Sequence, residues 1–364
     1  MKINILYEFN DKLKSDWKLL EKNTFCTPFQ SYEWHLKWHE NIGKKINSTP
    51  VLIIIKNNKK IIGIFPFCLV KKNFHLKIIW HGGLQTDYNL PLIHKNYFNI
   101  ENIFLIWELV KKYLPNHDLL YLEKQPQYIL EKENFFLKIQ SINQQFNCYR
   151  VLFIDSWDNY YKNLSLKLRN DNKRQINRLK KIGKLDFFIC NNDKEKNQLI
   201  KTMIKQKSER YISTNSWDMF SESYNKKFYF ELNKNLNNIG QIHCSGIKLN
   251  NEIISTHVGI VSDECFYYIL PAFNQKKYGK YSPGKILLEK LLFWTYDNNI
   301  KIFDFTGGNE LYKNLWNNNK FPIYQSLTSN SNKGKIILLL LYLKNTLKKF
   351  PLIKKIYYYL KNLK

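Results

Sequence analysis

The sequence predicts an α/β chain of the α+β kind, built as two similar modules with mixed central sheets and a basic helical tail. Three observations predict it. The order helices, strand meander, helix, closing strand occurs twice, although no clean sequence repeat is visible. Apolar runs of strand length come in pairs separated by short polar turns. With 364 residues, 44% hydrophobic and 16% aromatic, the chain carries core material for two domains.

The first module is expected over 1–155. Residues 3–9 read as a strand, and Trp17, Leu19 and Leu20 mark an amphipathic helix. Thr27 before Pro28, or Ser31 before Glu33 and Trp34, can start the next helix, with Trp34 and Trp38 at i, i+4 as its aromatic face. Such aromatics are more often core than ligand-binding. Residues 51–56 and 61–70 form a hairpin across the polar turn 57–60, and Pro66 predicts a bulge or a sheet edge. A strand over 75–80 leads into HGGLQTDY, residues 81–88, which reads as a flexible loop with one carboxylate and one phenol. A helix over 104–113 and a strand over 119–123 follow, and 134–154 continues strand-like.

A polar break at 155–158 and a strongly basic helical segment over 162–184 put the domain boundary near residue 155. The second module, 156–332, then repeats the plan. It has a strand over 185–190, helices over 195–211 and 220–235, a hairpin of 241–249 and 252–261 across Asn250-Asn251, and a strand over 264–273. The stretch from Tyr281 to Trp316 closes it. Ser282 can cap a helix whose first turn holds Pro283, with Ile286, Leu287, Leu288, Leu291, Leu292 and Trp294 as its buried stripe. Residues 300–305 alternate as a strand, and Gly307-Gly308 delivers Glu310, Tyr312, Lys313 and Trp316 into a turn and a further helix. A helix N-terminus ringed by lysines 276, 277, 280 and 285 is a seat for an anion such as a pyrophosphate. Local chemistry alone favours the plainer reading, a strand–helix–strand unit in a lysine-rich protein.

The tail, 333–364, mixes leucine, isoleucine and tyrosine with lysine, and Pro351 splits it into two short helices. It reads equally as a basic amphipathic element on a membrane surface and as a helix pair packed on the second module. The net charge, 57 minus 30 or +27, admits nucleic acid, an anionic membrane or phosphate-bearing substrates as partners. Abundant lysine, asparagine, isoleucine and tyrosine beside scarce alanine and arginine match AT-rich coding, so the charge permits such partners without diagnosing them. Six cysteines with no close pair argue against a zinc ribbon, a CxxC centre or a stapled secreted fold. The first residues lack a signal-peptide core, and the longest wholly apolar run, 336–343, is far below the roughly 20 residues of a membrane span. A cytoplasmic protein, soluble or peripheral on the inner face of the membrane, is expected.

No HExxH, GxSxG, Walker A or dinucleotide-binding glycine pattern is present, and His35 with His39 lacks a third ligand, so no metal is expected. Group transfer needs less: a base, an oxyanion stabiliser and good positioning. Asp87, His257 and Lys313 are the candidates. Position alone favours a turn carboxylate for Asp87, a satisfied core residue for His257 and a solvated helix lysine for Lys313.

Six stretches weigh against those plainer readings: PFQSYEWHLKWHENIG, IIGIFPFCL, WHGGLQTDYNLPLI, LSLKLRNDNKRQINRLKKIGKLDF, YYILPAFNQKKYGKYSPGKILLEKLL and FDFTGGNELYKNLW. In this order and spacing, over about 29–316, they resemble the FemAB/CelD-type branch of the GNAT acyltransferases. The resemblance implies two tandem GNAT-like domains with the acyl donor held by the second. In many members that donor is an acyl-CoA such as acetyl-CoA, and in the Fem peptidoglycan enzymes it is an aminoacyl-tRNA. It implies that Lys280, Ser282, Gly284 and Lys285 meet the donor pyrophosphate, that Asp87 takes a proton from the acceptor, and that Lys313 assists the transferred carbonyl. It places Tyr88, Trp34, Arg169 and Tyr312 beside the substrate. The sequence differs from the family at the phosphate loop, where Lys280-Tyr281-Ser282-Pro283-Gly284 replaces the usual Q/R-x-x-G-x-G/A, and in lacking the long coiled-coil arm of the Fem enzymes. The expected activity is N- or O-acyl transfer from acyl-CoA to a sugar or cell-envelope precursor. The alternatives are an aminoacyl-tRNA-dependent transferase, or a non-catalytic scaffold on an anionic polymer or membrane.

Overall fold

The computed structural model describes residues 1–72, 74–236 and 239–347, so the second tail helix expected after Pro351 lies outside the described residues. The first half opens with β1 (Lys2–Leu6) and α1 (Asp11–Glu21). Asn10 caps α1 by accepting from the Leu13 amide at 2.8 Å, and Leu13, Trp17 and Leu20 are buried beneath it. Both expected start signals are used. Thr27 and Gln30 close a capping box on the 3-10 turn Pro28–Gln30, and Ser31 Oγ accepts from the Trp34 amide to start α2 (Tyr32–Trp38).

β2 (Thr49–Asn57) and β3 (Lys60–Lys72) form the expected hairpin, with Asn58 and Lys59 at φ of 46° and 68°, the left-handed pair such a turn requires. Pro66 makes neither a bulge nor an outer edge. It faces Leu52 in an unbroken part of the ladder, where the other side of β3 passes from one short partner to the next. β4 (His75–Trp80) pairs from Phe67 onward, and β5 (Leu92–Ile93) pairs at Gly63 and Ile64. The absent N–H falls in the gap between them. α3 (Ile100–Tyr113) then crosses to β6 (Leu119–Pro126), which runs parallel to β4. A small tongue of β7 (Tyr128–Ile129) and β8 (Lys132–Glu133) precedes β9 (Asn143–Leu152).

In the second half α4 (Trp157–Asn163), α5 (Leu166–Lys180), β10 (Leu185–Ile189), α6 (Asp193–Ser213) and α7 (Ser223–Asn235) lead to the meander β11 (Gln241–Leu249), β12 (Glu252–Val261) and β13 (Cys265–Phe273). α8 (Gln275–Tyr278) and α9 (Pro283–Asp297) return the chain to β14 (Ile302–Asp304), parallel to β13. α10 (Lys313–Trp316), β15 (Asn319–Ser329) and α11 (Asn332–Leu347) complete the described chain. Each half therefore makes four antiparallel strands and one parallel pair, as the repeated element order implies.

Sequence reading leaves 319–329 unassigned, and this segment joins the halves. β15 inserts between β6 and β9, antiparallel to both, so that one 13-stranded sheet runs through the molecule. β13 shows how its faces are used: Cys265 and Tyr267 join the cluster with Leu199, Met203 and Phe228 of α6 and α7, while Phe266 and Tyr268 join Leu168, Leu179, Leu291 and Leu292 of α5 and α9. Because β15 belongs to the hydrogen-bonded interior of that sheet, the halves are expected to unfold together. Ile323→Ala, at a fully buried β15 position, should lower stability by about 2–5 kcal/mol in urea titrations followed by far-ultraviolet circular dichroism. A single transition is expected, and two separated transitions would contradict the shared sheet.

Candidate active site

Asp304, at the end of β14, is 1% exposed and surrounded by donors. Arg150 Nε on β9 donates to Oδ2 at 3.0 Å, Tyr88 OH to Oδ1 at 2.6 Å and the Thr306 amide to Oδ1 at 2.7 Å. Arg150 also donates to the Leu130 carbonyl at 2.6 Å and lies over the Phe321 ring, 4.0 Å from its centroid. A buried charge so surrounded is tolerable because both oxygens are hydrogen-bonded and one of the donors is a cation. The joint takes Tyr88 from the first half and Asp304 from the second, and it draws residues 81–88 against the segment after β14.

That loop is packed, contrary to the flexible loop expected. Trp34 Nε1 donates to Thr86 Oγ1 at 2.8 Å, Trp38 Nε1 to Gln85 Oε1 at 3.0 Å and Gln30 Nε2 to the Tyr88 carbonyl at 2.6 Å. Lys124 Nζ holds the carbonyls of Thr86 and Leu84, and Gln85 reaches Asn225 of α7 at 3.0 Å. Gly82, at φ 119°, allows the turn, since a Cβ there would lie 2.2 Å from Thr86 Oγ1. Trp34, expected beside substrate, is fully buried between Phe29 and Phe228 and acts as a brace for this loop. Tyr88 is likewise buried and spends its hydroxyl on Asp304.

Fixing the loop sets Asp87 over Gly307, where a Cβ would come within 3.1 Å of Asp87 Oδ1. Burial raises the Asp87 carboxyl above its ordinary value, opposed by the charges of Lys124 and Lys313 and by a hydrogen bond from Thr306. Lys313 Nζ, almost wholly buried, donates to the Gly307 carbonyl at 2.6 Å and pairs with Glu310 at 2.9 Å. Two of the residues named for catalysis from sequence, 226 positions apart, thus meet at one glycine. Tyr312 joins them, its phenol raised by burial and by Glu310.

Lys207 is the residue that sequence reasoning misses. On α6, Leu199, Ile200, Met203 and Ile204 are buried, and Lys207 continues their stripe at i+3 and i+4, which is the signal that exposes it. Its Nζ donates to the Pro271 carbonyl of β13 at 3.2 Å, and burial, with the Arg210 charge, lowers it to about 8. It shares an electrostatic neighbourhood with Asp87 and Lys313. A carboxyl shifted up, a cationic lysine and a second lysine that titrates near neutrality can remove a proton and stabilise an oxyanion.

The expected donor residues lie around the start of α9. β13 and β14 pair for only three residues, Cys265–Tyr267 with Ile302–Asp304, and α9 starts past the end of β13. Ser282 does not cap α9 through its side chain. It takes a left-handed conformation, φ 50°, and its amide bonds the Gly279 carbonyl, because the turn before Pro283 reverses the chain there. Gly284 abuts Phe273, whose ring a Cβ would approach to 3.1 Å. Lys285 pairs with Asp171 of α5 at 3.2 Å and borders a cleft of about 580 Å³ with Ser165, Lys167, Asn170, Asp171, Arg174 and Leu315. Lys280 sits across the turn, in a second hollow with Lys277 and Glu252, and its carbonyl accepts from Arg178. Arg169 donates to the Leu164 carbonyl at 3.2 Å, so its Nε is occupied locally. His257 is fully buried and stacks on Tyr268 at 4.4 Å, with neither ring nitrogen hydrogen-bonded and its pKa pushed well below the usual value by burial. No group of three or more metal-ligating side chains is assembled among the described residues.

A mixed sheet with a parallel strand pair, and a helix that starts past the end of one of those strands, is the architecture of a GNAT fold. Residues 167–314 match the acetyltransferase (GNAT) domain family. The whole chain has the fold of FemX, with a TM-score of 0.62 at 9% identity over 89% of this chain and 97% of that one. It is also similar to the C-terminal domain of a protein named as a lysylphosphatidylglycerol synthetase from Agrobacterium fabrum, with a TM-score of 0.53 at 9% identity over 91% and 96% of the two chains. For L-PGS from Bacillus licheniformis the TM-score is 0.50 at 10% identity, over 91% and 95%. At these identities the likeness is one of fold. No curated protein sequence matches the chain.

Arg150→Met should cost about 3–5 kcal/mol in chemical denaturation, because it leaves the buried Asp304 carboxylate without its cation.

Proposed function

We propose that the protein transfers an acyl group from acyl-CoA to an amine or hydroxyl of a sugar or other cell-envelope precursor. The observation that carries this reading is Asp87 of the first half held over Gly307 beside Lys313 of the second. The ionised Asp87 takes the proton of the acceptor nucleophile as that nucleophile attacks the acyl carbonyl. The Lys313 ammonium faces the oxygen on which negative charge develops, and the thiol leaves as the carbonyl re-forms. Lys207, part neutral near pH 8, can return a proton to the leaving sulfur.

The donor end suits a phosphate-bearing tail. The α9 N-terminus carries the positive end of the helix dipole, and Lys167, Arg174 and Lys285 border the cleft beside it. Asp171, which pairs with both Arg174 and Lys285, holds these side chains in place. A second reading, transfer of an aminoacyl group, is favoured by the fold shared with proteins named for lysylphosphatidylglycerol synthesis. The basic face of α5 would then meet the acceptor end of a tRNA.

The donor is tested by thermal shift with acetyl-CoA, longer acyl-CoAs and free CoA at low and moderate salt. A donor at about one hundred times its Kd adds about 2.7 kcal/mol to stability, so a rise in Tm that survives salt is expected. No shift with any CoA sinks the acyl-CoA reading, and salt-sensitive binding of aminoacyl-tRNA would replace it.

Asp87→Asn should reduce kcat by about 10²–10⁴-fold while Tm stays level or rises. The sign follows from the raised carboxyl: ionising it costs the folded state stability above its raised pKa, and asparagine removes that cost. In the wild type, kcat/KM should fall as pH drops through a value above the ordinary carboxylate range, and K313M should lose turnover and move that fall to higher pH, because the Lys313 charge holds the Asp87 carboxyl down.

A further inference from the structure

Helix α11 leaves the sheet from a tightly fixed seat. Asp118 Oδ1 receives Ser331 Oγ at 2.6 Å, its Oδ2 receives the Leu76 amide at 2.9 Å, and its carbonyl receives the Asn330 amide at 3.0 Å. Gly334 presses onto the same carbonyl, where a Cβ would lie 2.1 Å away. Past that glycine the helix turns its apolar side chains both ways. Ile337 and Leu338 are partly covered, whereas Ile336, Leu339, Leu340 and Leu343 are 60%, 58%, 59% and 46% exposed. Those four, at i, i+3, i+4 and i+7, lie in line along one side, and Leu341 and Tyr342 beside them widen the exposed apolar surface.

A second segment shows the same chemistry at the same place. Phe74, in the turn between β3 and β4, is 88% exposed, and Lys333 at the base of α11 donates to its carbonyl. Lys71 and Lys72 stand exposed just before it. From 333 to 364 the sequence carries nine lysines and no aspartate or glutamate. No helix among the described residues is long and apolar enough to cross a membrane.

We propose that α11 and the β3–β4 turn form a foot that seats on an anionic lipid bilayer. The outward leucines and Phe74 enter the boundary between headgroups and acyl chains, and the lysines beside them meet lipid phosphates. Charge selects this occupant. A second copy of the chain would bring lysines against lysines, whereas an anionic surface pairs with all of them. The sequence alone left the tail open between packing on its own domain and lying on a membrane, and the outward stripe favours the membrane. The contact is independent of the acyl-transfer reading, since it lies on other elements and is read without turnover.

The test is flotation of the full chain with phosphatidylglycerol–phosphatidylcholine vesicles, against phosphatidylcholine alone. The wild type should float with the anionic vesicles only, and added salt should weaken it. L339E/L340E should lower partitioning about ten-fold or more, and Phe74→Glu several-fold, both with unchanged Tm because these side chains are exposed. Each lysine removed from Lys71 and Lys72 should cost roughly five-fold. The proposal fails if the wild type stays unbound at low salt, or if the variants float as it does. A leucine-dependent dimer in light scattering without vesicle binding would overturn it too, making the stripe a contact between copies.

Discussion

The structure hangs on one buried carboxylate. Asp304 accepts from Tyr88, Arg150 and Thr306, and these come from a loop of the first half, the strand at the seam and the turn after β14. The desolvation of that charge is offset only while all three donors are present. This makes the joint selective: a shifted loop or a slipped strand would leave a bare charge in the core. The same condition that fixes the relation of the halves also fixes Asp87, the neighbour of Tyr88, over Gly307.

Asp87 and Lys313 are in turn positioned by the residues packed around them. Trp34, Trp38, Gln30 and Lys124 spend their donors on the loop that carries Asp87. Lys313 is held by the carbonyl of Gly307 and by Glu310. In the proposed reaction, side chains set this firmly would lose little order on meeting substrate.

Much of this was legible in the sequence, and the failures are local in cause. Alternating apolar runs and polar turns marked β2, β3, β11 and β12, and Asp87 and Lys313 were named from their motifs. Pairing over long separations has no such signature, so β15, with Pro322 and several polar residues within it, escaped notice. The resemblance put Trp34 beside substrate, although its i, i+4 spacing with Trp38 suited a core position, and its bond to Thr86 shows it bracing the loop. Ser282 looked like a helix cap, but the chain reversal before Pro283 demands a left-handed residue there and turns its side chain away from that task. His257 stood out as a lone strand histidine expected to be satisfied in the core; it is packed on aromatic rings, but both of its ring nitrogens lack a hydrogen-bond partner.

The position of β15 bears on how the chain is made. Its partner residues Leu119 and Ser329 are joined across the sheet, yet a ribosome adds about two hundred residues between them. Until that last strand emerges, β6 and β9 of the nascent protein face each other across an unfilled slot, each with a bare row of amides and carbonyls. The first half thus waits in an open-edged state through the synthesis of the second, and in a crowded cell such an edge is a place for chaperones to bind and for neighbouring chains to mispair.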